Sequence, residues 1–261
     1  MHSLIASGIS GGAAGYAGFY FEALKKRLQS DQRIPNKTSL TLNAWVKESF
    51  RGAGTYALCN IPATVVQQMV SNFLKKQYVA DTAIKQAAMA IISGGLGGIP
   101  AAFLGNILLE QQLKSIGPAE ALSNLSTQGI SRLFRGVSLV MIREGMFGFC
   151  YLKGVSEVGN YASTHCGPML VLPAQLAVGA LGSLVSHPFD TVATIMQRYD
   201  YKNIKDAATY LWKENGVKAF YKGGAARIGL FTTTMITLNK VQQSVLDVLD
   251  GNAPVKFKPK I

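Results

Sequence analysis

The sequence predicts an all-α membrane protein. Six transmembrane helices are expected in three pseudo-symmetric two-helix repeats, each with a short surface helix, around a central cavity. Three observations lead there. Of 261 residues only 15% are charged and 48% are hydrophobic, against about 25% charged in a typical soluble domain. Several long runs contain no Asp, Glu, Lys or Arg. An aromatic–basic–glycine triplet recurs three times along the chain.

The charge-free runs are 2–21, 53–74, 86–109 and 158–189. Each is long enough for the roughly 20 apolar residues a helix needs to cross a bilayer core. Two weaker candidates complete six: 136–157 carries Arg143, Glu144 and Lys153, and 228–246 carries Lys240. An even number of spans puts both termini on one side. Because the N-terminus lacks a basic n-region and a cleavage site, no secretory signal is expected.

The triplets are Phe50-Arg51-Gly52, Phe134-Arg135-Gly136 and Tyr221-Lys222-Gly223, with glycines 84 and 87 residues apart. A span follows each one. Before the third lies KNIKDAATYLWKENGVKAFYKG, an amphipathic pattern, and before the second a looser version, EALSNLSTQGISRLFRG. The first has a shortened SLTLNAWVKESFRG. A second motif keeps the period: FYFEALKKRLQ and PFDTVATIMQ align Glu22 with Asp190 and Gln29 with Gln197, 168 residues on. The repeats therefore run approximately 1–80, 81–165 and 166–255 within one domain of 261 residues, and 252–261 forms a basic tail.

Glycine-rich stretches in the odd-numbered spans read as packing surfaces, where small residues let helices approach. SGGLGG at 93–98 lacks the Lys-Ser/Thr ending of a phosphate loop. Three cysteines and three histidines show no disulfide or metal-ligand spacing, so no metal and no cofactor is expected. The net charge of +12 calls for an anionic partner. Nucleic acid is disfavoured, because no stacking platform or recognition helix accompanies the charge. A soluble helical enzyme would need a catalytic constellation, and none is present.

These residues resemble the mitochondrial carrier family, whose signature is Pro-x-Asp/Glu-x-x-Lys/Arg-x-Lys/Arg-x-Gln followed later by aromatic–basic–glycine. The third repeat carries PFDTVATIMQ and NGVKAFYKGGAAR, the first YFEALKKRLQ with Tyr20 in the proline position, and the second a degenerate GNILLEQQLKS. Pro188 removes one helical hydrogen bond and bends its helix. The resemblance implies a gate of ion pairs just beyond such bends. Asp190 would pair with Lys25, and Gln29 and Gln197 would brace the closure. Glu22 finds only Gln111 or Gln112 in the second repeat, and Ala193 stands in the lysine position of the third. At the opposite gate Asn72 occupies an acid position, with Lys75 retained.

Family substrate contacts fall seven and eight residues after each triplet glycine. They map onto Cys59 and Asn60, Arg143 and Glu144, and Leu230 and Phe231, with Arg227 one turn closer to the gate. Arginines favour a carboxylate or phosphate, and the adjacent acid suits an amine. An Arg143–Glu144 pair that only holds helices together is the competing reading. Arg51 and Gly52, Arg135 and Gly136, and Lys222 and Gly223 would bind an anionic phospholipid such as cardiolipin at helix N-termini. The resemblance thus implies a monomeric, multi-pass exchanger of the mitochondrial inner membrane, moving a small anionic or zwitterionic metabolite, an amino acid or a nucleotide, by alternating access. The eroded motifs leave two further expectations: a transport-inactive receptor, insertase or scaffold, and an outlying member delivered to host mitochondria by a parasite or bacterium.

Overall fold

A computed structural model describes residues 2–29, 50–79 and 81–251. The first surface-helix segment at 39–49 and the basic tail lie outside these residues. Regular structure among the described residues is helical throughout. Long helices α1 (His2–Gln29), α2 (Ala53–Gln77) and α3 (Ala83–Lys114) come first. After α3 the chain forms α4 (Pro118–Thr127) and the single turn α5 (Ile130–Leu133). Helix α6 (Val137–Phe149) then continues through a π-helical turn (Cys150–Gly154) into α7 (Val155–His165). Helix α8 (Val171–Tyr199) is followed by α9 (Ile204–Asn215), the single turn α10 (Val217–Phe220) and α11 (Gly224–Leu249).

The long helices close a ring. α1 packs on α2 and α11, α2 on α3, α3 on α6, α6 and α7 on α8, and α8 on α11. Each triplet sets the start of one long helix. Gly52, Gly136 and Gly223 have φ of 91°, 75° and 82° and cap α2, α6 and α11. That left-handed conformation lets the chain turn sharply into a helix at little cost for a residue without Cβ. The two described surface stretches share one plan, an amphipathic helix, one helical turn, then the capping glycine.

Glycines set the closest helix contacts. A Cβ on Gly98 would meet the Met141 Cα at 2.9 Å, and one on Gly145 the Ile91 carbonyl at 2.9 Å, so α3 and α6 touch backbone to backbone. Large apolar side chains face outward instead, among them Met169 (91% exposed), Leu58, Leu181 and Val185, while Lys25, Asp190, His187 and Gln197 are buried. A water-soluble protein has the reverse distribution.

One expectation needs correction. The charge-free run 158–189 is not one helix: α7 ends at His165, and α8 begins at Val171 after a short 3-10 turn, Pro168–Leu170. Gly167, at φ 90°, breaks the run together with Pro168, which has no N–H to donate. Only two described helical segments, Ala83–Lys114 and Pro168–Tyr199, are long and apolar enough to cross a membrane, each with mean hydropathy 1.7. Lack of charge is a weaker property than apolarity. Helix α1 carries serines and glycines along its length and four charged residues near its end.

Candidate functional site

The ring encloses a cavity of about 120 Å³, and all seven expected substrate contacts line it: Cys59, Asn60, Arg143, Glu144, Arg227, Leu230 and Phe231. They come from α2, α6 and α11, the helices that the triplet glycines start. A fixed count from each cap places six of them at one depth, with Arg227 one turn nearer its cap. Asn60 donates its Nδ2 to the Tyr56 carbonyl at 2.8 Å, and Phe231 meets Phe147 edge-on at 5.6 Å.

A buried charge cluster floors this cavity. Lys25 Nζ lies 2.9 Å from Asp190 Oδ2 and 2.7 Å from Glu22 Oε2. Lys25 and Asp190 are both fully buried. Gln29 donates Nε2 to Asp190 Oδ2 and to Thr191 Oγ1, each at 3.0 Å, and accepts from Thr194 at 3.1 Å. The structure thus brings Lys25, Asp190 and Gln29 together. Pro188 lies inside α8 two residues before the acid, where it denies the Leu184 carbonyl its usual helical donor.

Three expected partnerships differ. Glu22 takes its cation from Lys25 on its own helix, three residues on, because one turn of α1 presents both side chains to the same face. Gln111 and Gln112 do not serve it: both are buried, and the Gln111 Oε1 and both Gln112 amide atoms have no hydrogen bond among the described residues. Gln197 makes no hydrogen bond to Asp190 among the described residues. Its Nε2 donates to the Arg135 carbonyl at 3.2 Å, and its own carbonyl accepts from Arg132 at 2.5 Å, so it secures the second triplet instead. Ala193 packs in the apolar core against Gly136, where a lysine ammonium would lack both room and water.

Arg143 does more than its sequence position implies. Its Nε donates to Glu144 Oε1 at 3.0 Å, its Nη2 reaches the same oxygen, and its Nη1 binds Asp190 Oδ1. One guanidinium therefore joins the cavity wall to the charged floor. Arg227 is 6% exposed and lines the same cavity, yet its guanidinium has no hydrogen bond or ion pair among the described residues. Its Nε is buried without a partner.

Sequence reasoning also missed the polar residues that hold the long helices to the triplet turns. His187 Nε2 meets the Lys222 carbonyl at 2.9 Å, and Thr191 donates to the Phe220 carbonyl at 2.9 Å. In the preceding unit one side chain, Asn106, donates to both corresponding carbonyls, Leu133 at 2.9 Å and Arg135 at 3.3 Å, the latter shared with Gln197. An asparagine inside a charge-free run was the available signal. Lys26, also missed, lines the cavity and donates to Thr194 Oγ1 at 3.1 Å.

The expected lipid-binding cations have protein partners. Arg51 donates to the Ser115 carbonyl at 2.9 Å, Arg135 to Asp200, and Lys222 to Glu214 at 2.7 Å. Nearby, burial pulls the Arg132 guanidinium below its usual pKa, an effect that Asp200 offsets in part.

Residues 169–243 match the sequence model of a family described as mitochondrial carrier protein. A calcium-binding mitochondrial carrier protein of Dictyostelium discoideum is 21% identical over 96% of this chain, which spans only 37% of that relative's length. Mitochondrial citrate transporter E of Aspergillus niger is 25% identical, with 93% of this chain and 92% of the relative covered. Mitochondrial glutamate carrier 2 of Rattus norvegicus is 25% identical, with 86% and 88% covered.

Proposed function

We propose that the chain is a divergent member of the mitochondrial carrier family and an exchanger of the mitochondrial inner membrane. Members of that family are transporters rather than enzymes. The cargo is a small anionic or zwitterionic metabolite, an amino acid or a nucleotide, moved by alternating access through the central cavity. Six membrane-crossing helices in three two-helix repeats form the wall. The observation that carries this reading is the meeting of three helices' cap-counted residues in one cavity, above the Lys25–Asp190 pair. That pair closes one end, and opening it while the other end closes would pass the cargo across. An anionic phospholipid such as cardiolipin would sit at the capped starts of α2, α6 and α11, with the protein monomeric.

Purified protein in liposomes is expected to exchange labelled metabolites from a panel of nucleotides, amino acids and keto acids, and Arg143→Ala to abolish exchange. No uptake of any panel member would sink the proposal. It would favour a receptor, insertase or scaffold built on the same fold, a reading motivated by the degenerate second repeat and by the opposite gate, where Asn72 stands in an acid position and bonds Gln68 at 3.0 Å.

A further inference from the structure

We infer that Arg143 is a gate residue as well as a wall residue: it ties α6 into the floor lock, in place of a base that the second repeat lacks. This rests on the carrier reading and deepens it.

The triplet glycines show which gate positions carry no charge. A Cβ on Gly223 would meet the Lys25 carbonyl at 3.2 Å, one on Gly52 the Leu108 Cδ1 at 2.7 Å, and one on Gly136 the Ala193 Cα at 3.5 Å. Each triplet turn therefore seats on one residue of α1, α3 or α8. Lys25, Leu108 and Ala193 are equivalent positions, 83 and 85 residues apart. Three residues before them, in the acid position, stand Glu22, Gly105 and Asp190. The first unit keeps acid and base, the third an acid alone, and the second neither.

Asp190 nonetheless has a cation on each oxygen. Lys25 lies 2.9 Å from Oδ2, and Arg143 donates Nη1 to Oδ1. Arg143 belongs to the second unit, on α6 rather than α3, and its Nε and Nη2 are fixed on Glu144. That hold aims Nη1 at the floor, because a planar guanidinium sets its donors in fixed directions. The side chains of Asp190 and Arg143 are 1% and 12% exposed, which shields the pair from the screening that weakens surface pairs. A cargo anion that draws Arg143 to itself takes a cation from the lock, so filling the cavity loosens the floor.

A role in cargo contact alone would leave the empty protein unchanged, so the test is made without cargo. Gln112→Cys provides the reporter. Gln112 lies two turns past Gly105 on α3, 6% exposed, with neither amide atom hydrogen-bonded among the described residues. A water-soluble maleimide is added to the full chain in detergent, and mass spectrometry follows its arrival at residue 112 and at native Cys150. Adding Arg143→Gln should speed labelling at 112 by at least roughly tenfold, the scale on which one charged hydrogen bond shifts an equilibrium, with Cys150 unchanged. Arg143→Lys keeps a cation without the fork and should fall between the two. Equal rates at 112 with and without Arg143 overturn the inference and leave the carrier reading, with Arg143 a cargo contact only. A matching rise at Cys150 is general unfolding, and if Arg143→Lys shows it too the inference falls. Faster labelling at 112, without exchange of glutamate, citrate or ADP by the unsubstituted chain in liposomes, upholds the inference and removes the carrier reading.

Discussion

The two ends of the cavity hold their helices together by different means. At the floor, Glu22, Lys25, Asp190 and Arg143 form a buried network from α1, α6 and α8. At the other end, a smaller cavity of about 60 Å³ is lined by Ser7, Ser10, Thr64, Gln67, Gln68 and Ser71 among others, and none of its lining among the described residues is charged. Its bonds are between neutral groups: Thr64 to the Ser7 carbonyl on α1 at 3.0 Å, and Gln68 to Asn72 one turn away. A neutral hydrogen bond contributes about 0.5–1.5 kcal/mol net, because water replaces it when it breaks. Removing one partner of a buried ion pair costs about 3–5 kcal/mol, because the other charge is stranded. The floor therefore opens as a unit or not at all, whereas the mouth can loosen bond by bond.

Breaking the floor should give the largest effect. Asp190→Ala removes the carboxylate that Lys25 and Arg143 share, leaving Glu22 to the first and Glu144 to the second, and a loss of about 3–5 kcal/mol is expected in thermal unfolding of the detergent-solubilised protein. A loss under about 1 kcal/mol would mean that water reaches the floor, and the contrast between the two ends would go. The exchange Lys25→Asp with Asp190→Lys sharpens the point. It should recover only part of the loss, since an acid at position 25 faces Glu22. Full recovery would show that Glu22 takes no part.

Gln29→Ala removes three bonds from the network, one of them to a carboxylate, and should cost about 1.5–3 kcal/mol. The same unfolding curves read it. Gly98→Ala separates packing from charge, because the new Cβ falls 2.9 Å from the Met141 Cα. Overpacking of about 1–3 kcal/mol is expected, with the charge network untouched. The smallest effect belongs to the mouth, where Gln68→Leu should cost about 1 kcal/mol or less. A larger loss there would make the two ends alike.

Much of this site was legible because it depends on counting. The triplet glycines mark three helix starts, and seven or eight residues along a helix give the same depth in each. The offset of 168 residues brings Asp190 and Lys25 into correspondence by the same logic. What escaped depends on reach between helices. Arg143 spans from α6 to an acid on α8, and no spacing in the sequence encodes that length. Gln197 shares a position with Gln29 in the repeat, yet the Arg135 carbonyl lies closer and takes its amide. Glu22 found a partner on its own helix because the second unit offered no cation. The break at 166–170 was visible as Gly167-Pro168, but a count of charges gives no weight to backbone.

The π-helical turn at Cys150–Gly154 has a consequence of its own. The Val155 N–H bonds back five residues to the Cys150 carbonyl, so the helix carries one residue more than an α-helical ladder would. At 3.6 residues per turn, one extra residue advances the azimuth by about 100°. Everything beyond the turn is therefore rotated relative to the face that carries Arg143. That rotation lets Gly154 face Val178 on α8 while Lys153 reaches Gln86 on α3. Deleting one residue there would turn α7 back through the same angle and point those contacts elsewhere, leaving the upstream cavity wall in phase. The turn works as a helical vernier, setting the heading of α7 independently of α6.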